Sequence, residues 1–223
     1  MLGKQAETCF EFYLQHSKRY KLLAANIQIQ GVTHTIGELD YLVFDAQEQK
    51  AIHIELACKF YLYDSSLGNQ GMKCWTGPDR KDTLIQKLDK LRLKQFPLLY
   101  SEETRTEISY LNLDILSVVQ QLCLKSFLFV KREEDIGVNP LKEYKNAIVG
   151  YWITFSEFAS EDQDALYRIS NKQEWLLPAE NLKEFKPWRE VSPLVQLHIS
   201  NKRSQLIYKR KGKHIERYFV VWW

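Results

Sequence analysis

The chain has 223 residues, of which 45% are hydrophobic and 26% are charged, and its formal net charge is +3 at pH 7. This composition excludes a largely disordered chain, a collagen-like fibre and a disulfide-stabilised miniprotein. The length suits one large domain, or one domain with a small extension. We expect neither a membrane span nor an exported protein, because the sequence lacks a long apolar stretch and an apolar amino-terminal run. Four scattered cysteines indicate a reducing compartment, the cytoplasm.

The first half of the chain has clear periodic patterns. Apolar residues at helical spacing and alternating polar and apolar residues distinguish the predicted helices from the predicted strands. The predicted elements are a helix over residues 5–20, strands over 22–30, 35–44 and 51–62, and a helix over 79–95. The polar stretch 45–50 predicts an antiparallel hairpin between the second and third strands.

The second half has weaker patterns and a basic end. The predicted features are a strand over 121–131, apolar segments at 108–116, 151–158 and 166–177, boundaries at Pro178, Pro187 and Pro193, and a hairpin of 205–208 with 216–223. Residues 202–217 contain seven Lys or Arg and one acid. This local positive charge is compatible with a phosphate-rich partner, and equally with a solvated surface.

Two carboxylates are predicted to meet across the hairpin. A turn centred on Gln47 and Glu48 places Asp40 opposite Glu55, with both side chains on one face of the sheet. Adjacent carboxylates repel unless a cation or a proton intervenes. Mg²⁺ or Mn²⁺ would neutralise them, since Mg²⁺ accepts one or two carboxylates and completes its shell with water and phosphate oxygens. The alternative is a hairpin whose polar face is simply solvated.

An acid on the first helix, an acid on the second strand, and an acid and a lysine on the third resemble the PD-(D/E)XK phosphodiesterase superfamily. This resemblance covers about the first 95 residues. The segments GELDYLV, HIELACKFYL, GPDRKD and KQFPLL are also similar to the bacterial family domain of unknown function 1853. The superfamily resemblance implies an α/β, restriction-endonuclease-like fold with a mixed central sheet flanked by helices. We expect this core over residues 1–135 and an α+β extension over 136–223.

The resemblance implies a role for four side chains. Asp40 corresponds to the metal ligand of the second strand, Glu55 to the first acid of the third, and Glu7 to the helix acid. Lys59 corresponds to the superfamily lysine, although that lysine usually stands two residues after the acid, where this chain has Ala57. The implied reaction is hydrolysis of a phosphodiester in DNA or RNA by metal-activated water, which Lys59 orients.

Basic side chains near the second helix and in the terminal hairpin are predicted to bind phosphate. They are Arg80, Lys81 and Lys87, and Lys209, Arg210, Lys211 and Lys213. The expected partner is therefore a nucleic acid. Two other functions stay open: a catalytically inactive nucleic-acid-binding module and a non-enzymatic scaffold.

Overall fold

The computed structural model describes residues 2–68, 71–133 and 141–223. The chain folds into two compact units that interleave along the sequence. The amino-terminal unit consists of residues 3–58 and 86–125, and the carboxy-terminal unit consists mainly of 59–85 and 126–223. The boundary expected between residues 135 and 136 lies outside the described residues.

Six α-helices and ten strands of a mixed sheet lie in the described part of the chain, which confirms the α/β class. The helices are α1 (Leu2–His16), α2 (Leu84–Lys90), α3 (Phe96–Leu98), α4 (Glu102–Glu107), α5 (Phe155–Ala159) and α6 (Trp188–Ser200). The strands are β1 (Tyr20–Gln30), β2 (Thr35–Asp45), β3 (Lys50–Tyr63), β4 (Trp75–Thr76), β5 (Val119–Lys131), β6 (Ile148–Thr154), β7 (Leu166–Ser170), β8 (Lys186–Pro187), β9 (Gln205–Lys211) and β10 (His214–Val221). No helix of these residues is both long and apolar enough to cross a membrane.

The amino-terminal unit is built on the antiparallel strands β1, β2 and β3. Helix α1 covers one face, where Leu14 packs against Tyr41 and Ile54. A second cluster of buried side chains joins Leu39 of β2 to Leu99, which follows α3. Tyr41 and Leu42, neighbours on β2, belong to the two different clusters, as the strand period requires.

The hairpin between β2 and β3 has the predicted register. Tyr41 pairs with Ile54, as expected for a turn centred on Gln47 and Glu48. Asp45 closes the turn by accepting the backbone N–H groups of both turn residues, at 3.0 and 3.2 Å. The hydrogen bonds from the Arg19 guanidinium hold the pKa of Asp45 at about 2.

For the helix predicted over residues 79–95, the prediction of the first turn is wrong, because α2 begins at Leu84. The Asp79 carboxylate instead accepts the backbone N–H of Ser204, and Arg80 has φ 55°, a left-handed conformation that no helix accommodates. At its other end α2 runs into a π-helix, Leu91–Gln95, before α3. Residues 79–82 therefore form a turn.

The carboxy-terminal unit contains the strand order β5-β6-β10-β9-β7-β8. Strand β6 is parallel to both neighbours, and β9 and β10 form the predicted terminal hairpin. Helices α5 and α6 pack on one face through Phe158 and Val195, and Trp175 packs against Phe219 on the other face. Helix α6 was not predicted, and Pro193 lies inside it instead of marking a boundary.

Candidate functional site

Strands β2 and β3 stop pairing with each other where the two acids lie. Their last backbone pair is Tyr41 with Ile54, so Asp40 and Glu55 are the next residues on each strand. The Asp40 carboxylate accepts the backbone N–H of Leu56 at 2.8 Å, replacing the strand partner that this N–H lacks. The sequence thus places one carboxylate on each strand at the point where they separate.

Negative charge accumulates at this point. Burial raises the pKa of Asp40 to about 6, and the charge of Glu55 contributes further, whereas the Leu56 N–H acts in the opposite direction. Glu38 and Glu7 also raise the pKa of Asp40. Burial raises the pKa of Glu38 itself, and Glu7 adds to this effect. The predicted acids Glu7, Asp40 and Glu55 are therefore electrostatically coupled, and Glu38 joins them.

Helix α1 carries Glu7 to the strands through a backbone contact. The hydroxyl of Tyr41 donates to the carbonyl oxygen of Glu7 at 3.0 Å. The carboxylate of Glu7 forms an ion pair with Lys4, one turn earlier, at 3.2 Å. Glu7 is consequently fixed through its main chain, while its side chain stays at the helix surface.

Glu55 is 2% exposed and is held by a chain of hydrogen bonds. Its Oε1 lies 3.0 Å from His53 Nε2, and its Oε2 lies 3.4 Å from the amide nitrogen of Gln95. The amide nitrogen of Gln120 lies 3.2 Å from His53 Nδ1 and donates to the Phe96 carbonyl at 2.7 Å. Since Gln120 supplies the donor, Nδ1 accepts, and Nε2 carries the proton that His53 donates to Glu55. The histidine and both amides thus orient the carboxylate.

These supporting residues were not predicted as part of the site. Glu38 and His53 share a strand face with Asp40 and Glu55, so the two-residue period could have indicated them. Gln95 ends the π-helix, whose extra residue per turn changes which side chains face the sheet. No sequence pattern indicated that irregularity, nor the position of Gln120.

Lys59 lies in the carboxy-terminal unit, where its ammonium donates to Asp82 Oδ2 at 2.8 Å. Both side chains are more than a third exposed, at 37% and 39%. Ala57, at the usual position of the superfamily lysine, is buried. The catalytic role expected for Lys59 requires its ammonium group, and in this structure that group is bound to Asp82.

Several of the predicted phosphate-binding side chains have protein partners. Arg80 pairs with Asp64 and lies 3.9 Å above the ring of Trp223. In the terminal hairpin Lys209 donates to Glu161 at 2.5 Å, Lys211 donates to Asp162 at 2.6 Å, and Arg210 lies 4.3 Å from the Phe185 ring. Lys81 and Lys213 are exposed, and Lys87 is half-buried. Much of the basic charge is therefore already balanced within the chain.

Asp40 and Glu55, at the point where β2 and β3 separate, suit a divalent cation held by two carboxylates and water. Mg²⁺ needs no more than this from a protein, and its charge would offset the repulsion that raises the pKa of Asp40. Within residues 2–68, 71–133 and 141–223, no three His, Cys, Asp or Glu side chains form a preassembled metal site. Asp40 and Glu55 are the residues that would hold the ion.

Comparison with known proteins gives a family match. The family model described as a domain of unknown function (DUF1853) matches residues 1–221. No curated protein and no solved structure matches the chain. The match extends through both units.

Proposed function

The chain belongs to the DUF1853 family, and we propose that it is a metal-dependent phosphodiester hydrolase acting on DNA or RNA. The proposal includes the finer fold assignment, a restriction-endonuclease-like core of the PD-(D/E)XK superfamily. The observation that carries it is the coupled pair of carboxylates, Asp40 and Glu55, at the point where β2 and β3 separate.

The side chains have distinct parts in this proposal. Asp40 and Glu55 hold Mg²⁺ or Mn²⁺, and Glu7 and Glu38 add negative charge beside them. A bound ion supplies a water of lowered pKa and polarises the phosphodiester. His53 and Gln95 keep Glu55 in one orientation through its two oxygens. Asp40 is in its charged, ligating form above about pH 6.

Lys59 orients the attacking water in this proposal, and to do so it must leave Asp82. Ion pairs between exposed side chains are worth about 0–1 kcal/mol, so a substrate phosphate can displace this one. The lysine lies four residues beyond Glu55 on β3, which places both side chains on the same face of the strand.

The position and the ion pair of Lys59 favour a second function, that of a catalytically inactive nucleic-acid-binding module. Ala57 occupies the usual lysine position, and Lys59 is bound to Asp82. A chain that binds nucleic acid beside its paired acids, without cleaving it, would show this arrangement. Both functions include metal binding, but only the hydrolase turns over its substrate.

The test is cleavage of fluorescently labelled single-stranded and duplex DNA and RNA by the full chain with Mg²⁺ or Mn²⁺. Asp40→Asn and Glu55→Gln should each lower the cleavage rate at least a hundredfold, because each removes a ligand charge with little change of shape. Asp89→Asn, an exposed acid on α2, is the matched control and should cut normally.

Metal binding and cleavage, measured together, distinguish the two functions. Calorimetric titration with Mn²⁺ should show binding to the parent chain that both variants lose. Metal binding without cleavage favours the inactive module. Cleavage that survives in Asp40→Asn and Glu55→Gln would place the reaction elsewhere.

A further inference from the structure

The helical segment of residues 86–100 is anchored at the candidate site. Helix α2, the π-helix and α3 follow one another without a break. One side of the segment faces the sheet, where Leu91 is buried. On the same side, the Gln95 amide donates to Glu55 Oε2 and to the carbonyl oxygen of Glu38, each at 3.4 Å. These contacts fix the segment beside the Glu55 carboxylate.

The exposed side of the segment is basic. Helix α2 and the π-helix together contain four Lys or Arg and one acid. Lys90, Arg92 and Lys94 are exposed, and their side chains form no ion pair or hydrogen bond within the described residues. In the terminal hairpin, by contrast, Lys209 and Lys211 are bound to acids. A phosphate group can therefore bind the three cations of the segment without displacing an acid of the described residues.

Apolar side chains also lie on the exposed side. Leu93 is 69% exposed and Tyr100 is 42% exposed. The Tyr100 N–H donates to the Pro97 carbonyl at 3.0 Å, so the helical path continues to Tyr100. Leu93, Pro97 and Tyr100 are thus spaced by four and three residues, and side chains at these spacings are neighbours on a helix surface. By the same rule Leu93 and Lys94 are both neighbours of Lys90, so an apolar stripe runs beside the cations.

Cations beside exposed apolar groups match the chemistry of a single nucleic-acid strand. Its phosphates bind Lys and Arg, and its unpaired bases stack on aromatic side chains. In a duplex the faces of the bases are covered by the neighbouring base pairs, and only their edges are reached from the grooves. A duplex backbone would use the cations and leave Leu93 and Tyr100 in water, whereas a single strand uses both.

We infer that the exposed side of residues 86–100 binds single-stranded nucleic acid. Lys90, Arg92 and Lys94 contact its phosphates, and Tyr100 stacks on a base. This inference rests on the proposed function, for which it names the substrate class and the surface that holds the substrate. The cations also offset the repulsion between a polyanion and the carboxylates of the site, and they attract the polyanion from solution.

Fluorescence anisotropy of the full chain with labelled single-stranded DNA and RNA, and with duplexes of the same sequence, tests the inference. The measurements are made with a chelator in place of metal, so that binding is separated from cleavage. We expect the parent chain to bind at least one of the single strands about tenfold more tightly than either duplex. The tighter single strand identifies the sugar of the substrate.

The salt dependence of binding locates the phosphate contacts. For a single strand, each phosphate contact contributes about 0.7 to the magnitude of the slope of log K against log salt concentration. The double variant Lys90→Gln and Lys94→Gln should therefore lower this magnitude by about 1.4. The matched control is the double variant Lys18→Gln and Lys21→Gln, which removes two exposed lysines near the hairpin turn and should keep the parent's slope.

Substitution of Tyr100 tests the stacking contact. Tyr100→Ala should weaken single-strand binding about tenfold and leave the salt slope unchanged, while Tyr100→Phe, which keeps the ring, should bind like the parent. The inference is overturned if the single strand has no advantage over the duplex, if the Lys90 and Lys94 double variant keeps the parent's slope, or if Tyr100→Ala binds like the parent.

These outcomes are distinguishable from failure of the proposed hydrolase. Asp40→Asn should bind the single strand at least as tightly as the parent, because it removes a negative charge and leaves residues 86–100 unchanged. Binding that depends on Lys90 and Lys94, without cleavage by the parent, supports this inference and overturns the hydrolase. Cleavage by a parent whose binding does not depend on these lysines does the reverse.

Discussion

At the scale of single residues, Asp40 is the side chain whose charge works against folding. Its pKa of about 6 exceeds the usual value of 3.8 because of burial and the neighbouring Glu55. Between about pH 4 and 6 the folded chain therefore binds more protons than the unfolded chain, and the free energy of unfolding falls as pH rises through this interval. Asp40 is partly exposed, so solvent screening reduces this effect.

Asp40→Asn should consequently stabilise the chain at pH 8. The amide oxygen still accepts the Leu56 N–H, and the buried charge is removed. We expect an increase in the free energy of unfolding of about 1–2 kcal/mol at pH 8 and no difference below pH 4, measured by urea denaturation. An equal difference at both pH values would contradict the assignment of the effect to ionisation.

His53 should matter to metal binding through Glu55. Its Nε2 lies 3.0 Å from Glu55 Oε1, and His53→Leu removes this donor and puts an apolar side chain of similar size in its place. Loss of a hydrogen bond to a ligating carboxylate typically weakens metal binding 10- to 100-fold. We expect at least a tenfold weaker Mn²⁺ affinity by calorimetry. His34→Leu, at an exposed position, should bind Mn²⁺ like the parent, and equal affinities in all three chains would show that His53 has only a packing role.

The sequence indicated these residues unequally for physical reasons. Asp40 and Glu55 are separated by a short hairpin, whose turn fixes the register and whose two-residue period fixes the face. Gln95 and Gln120 reach the site from a π-helix and from the start of β5. Their positions depend on tertiary packing, which leaves no local periodic pattern.

At the scale of elements, the basic residues of the terminal hairpin of β9 and β10 lie in different environments. Lys209 and Arg132 both bind the carboxylate of Glu161, whose side chain is only 4% exposed. Lys213 is exposed at the turn of the hairpin. A charge that neutralises a buried carboxylate stabilises the fold, whereas an exposed one can contact a partner.

Lys209→Met should therefore destabilise the chain by about 2 kcal/mol, because it leaves the buried Glu161 with Arg132 alone. Lys213→Met is the matched control and should change the free energy of unfolding by less than about 0.5 kcal/mol. Urea denaturation measures both. If Lys209→Met is as stable as Lys213→Met, the ion pair with Glu161 contributes nothing and Lys209 is available to a nucleic acid.

The sequence predicted helix boundaries less well than it predicted the helices and strands themselves. The leucine stripe correctly indicated a helix around Leu84, but the turn before it depends on the bond from Ser204 to Asp79, 125 residues away in the chain. Helix α6 begins directly after Pro187 and tolerates Pro193 in its interior. A proline at either position equally suits a boundary, so composition alone gave no preference.

At the scale of the whole molecule, each unit is assembled from separate segments of the chain. Strand β3 contributes residues 50–58 to the amino-terminal unit and 59–63 to the carboxy-terminal unit, and β5 is divided between residues 125 and 126. Sequence patterns reveal boundaries along the chain and do not reveal such interleaving. The coarse class and the first hairpin could be predicted because they depend on local periodicity, which the assembly of units does not.

The interleaving predicts how fragments behave. Phe60 and Phe129 belong to one buried cluster with Trp152, Trp175 and Phe219, and β5 pairs with β6 from Leu128 to Lys131. A fragment of residues 1–135 retains the first two rings and loses their neighbours, together with the partner strand of β5. The fragment keeps the whole amino-terminal unit, so we expect it to unfold thermally at a lower Tm than the full chain.

Mixing separates missing contacts from misfolding of the fragment itself. Fragment 136–223 supplies the missing rings and β6, so combining the two pieces should restore the Tm of the full chain. A fragment carrying Trp152→Ala should restore less, because this change removes a buried ring from the cluster at a cost of about 3–5 kcal/mol. If residues 1–135 alone show the Tm of the full chain, Phe60 and Phe129 do not need the later segment, and the chain divides at residue 135 into independent domains.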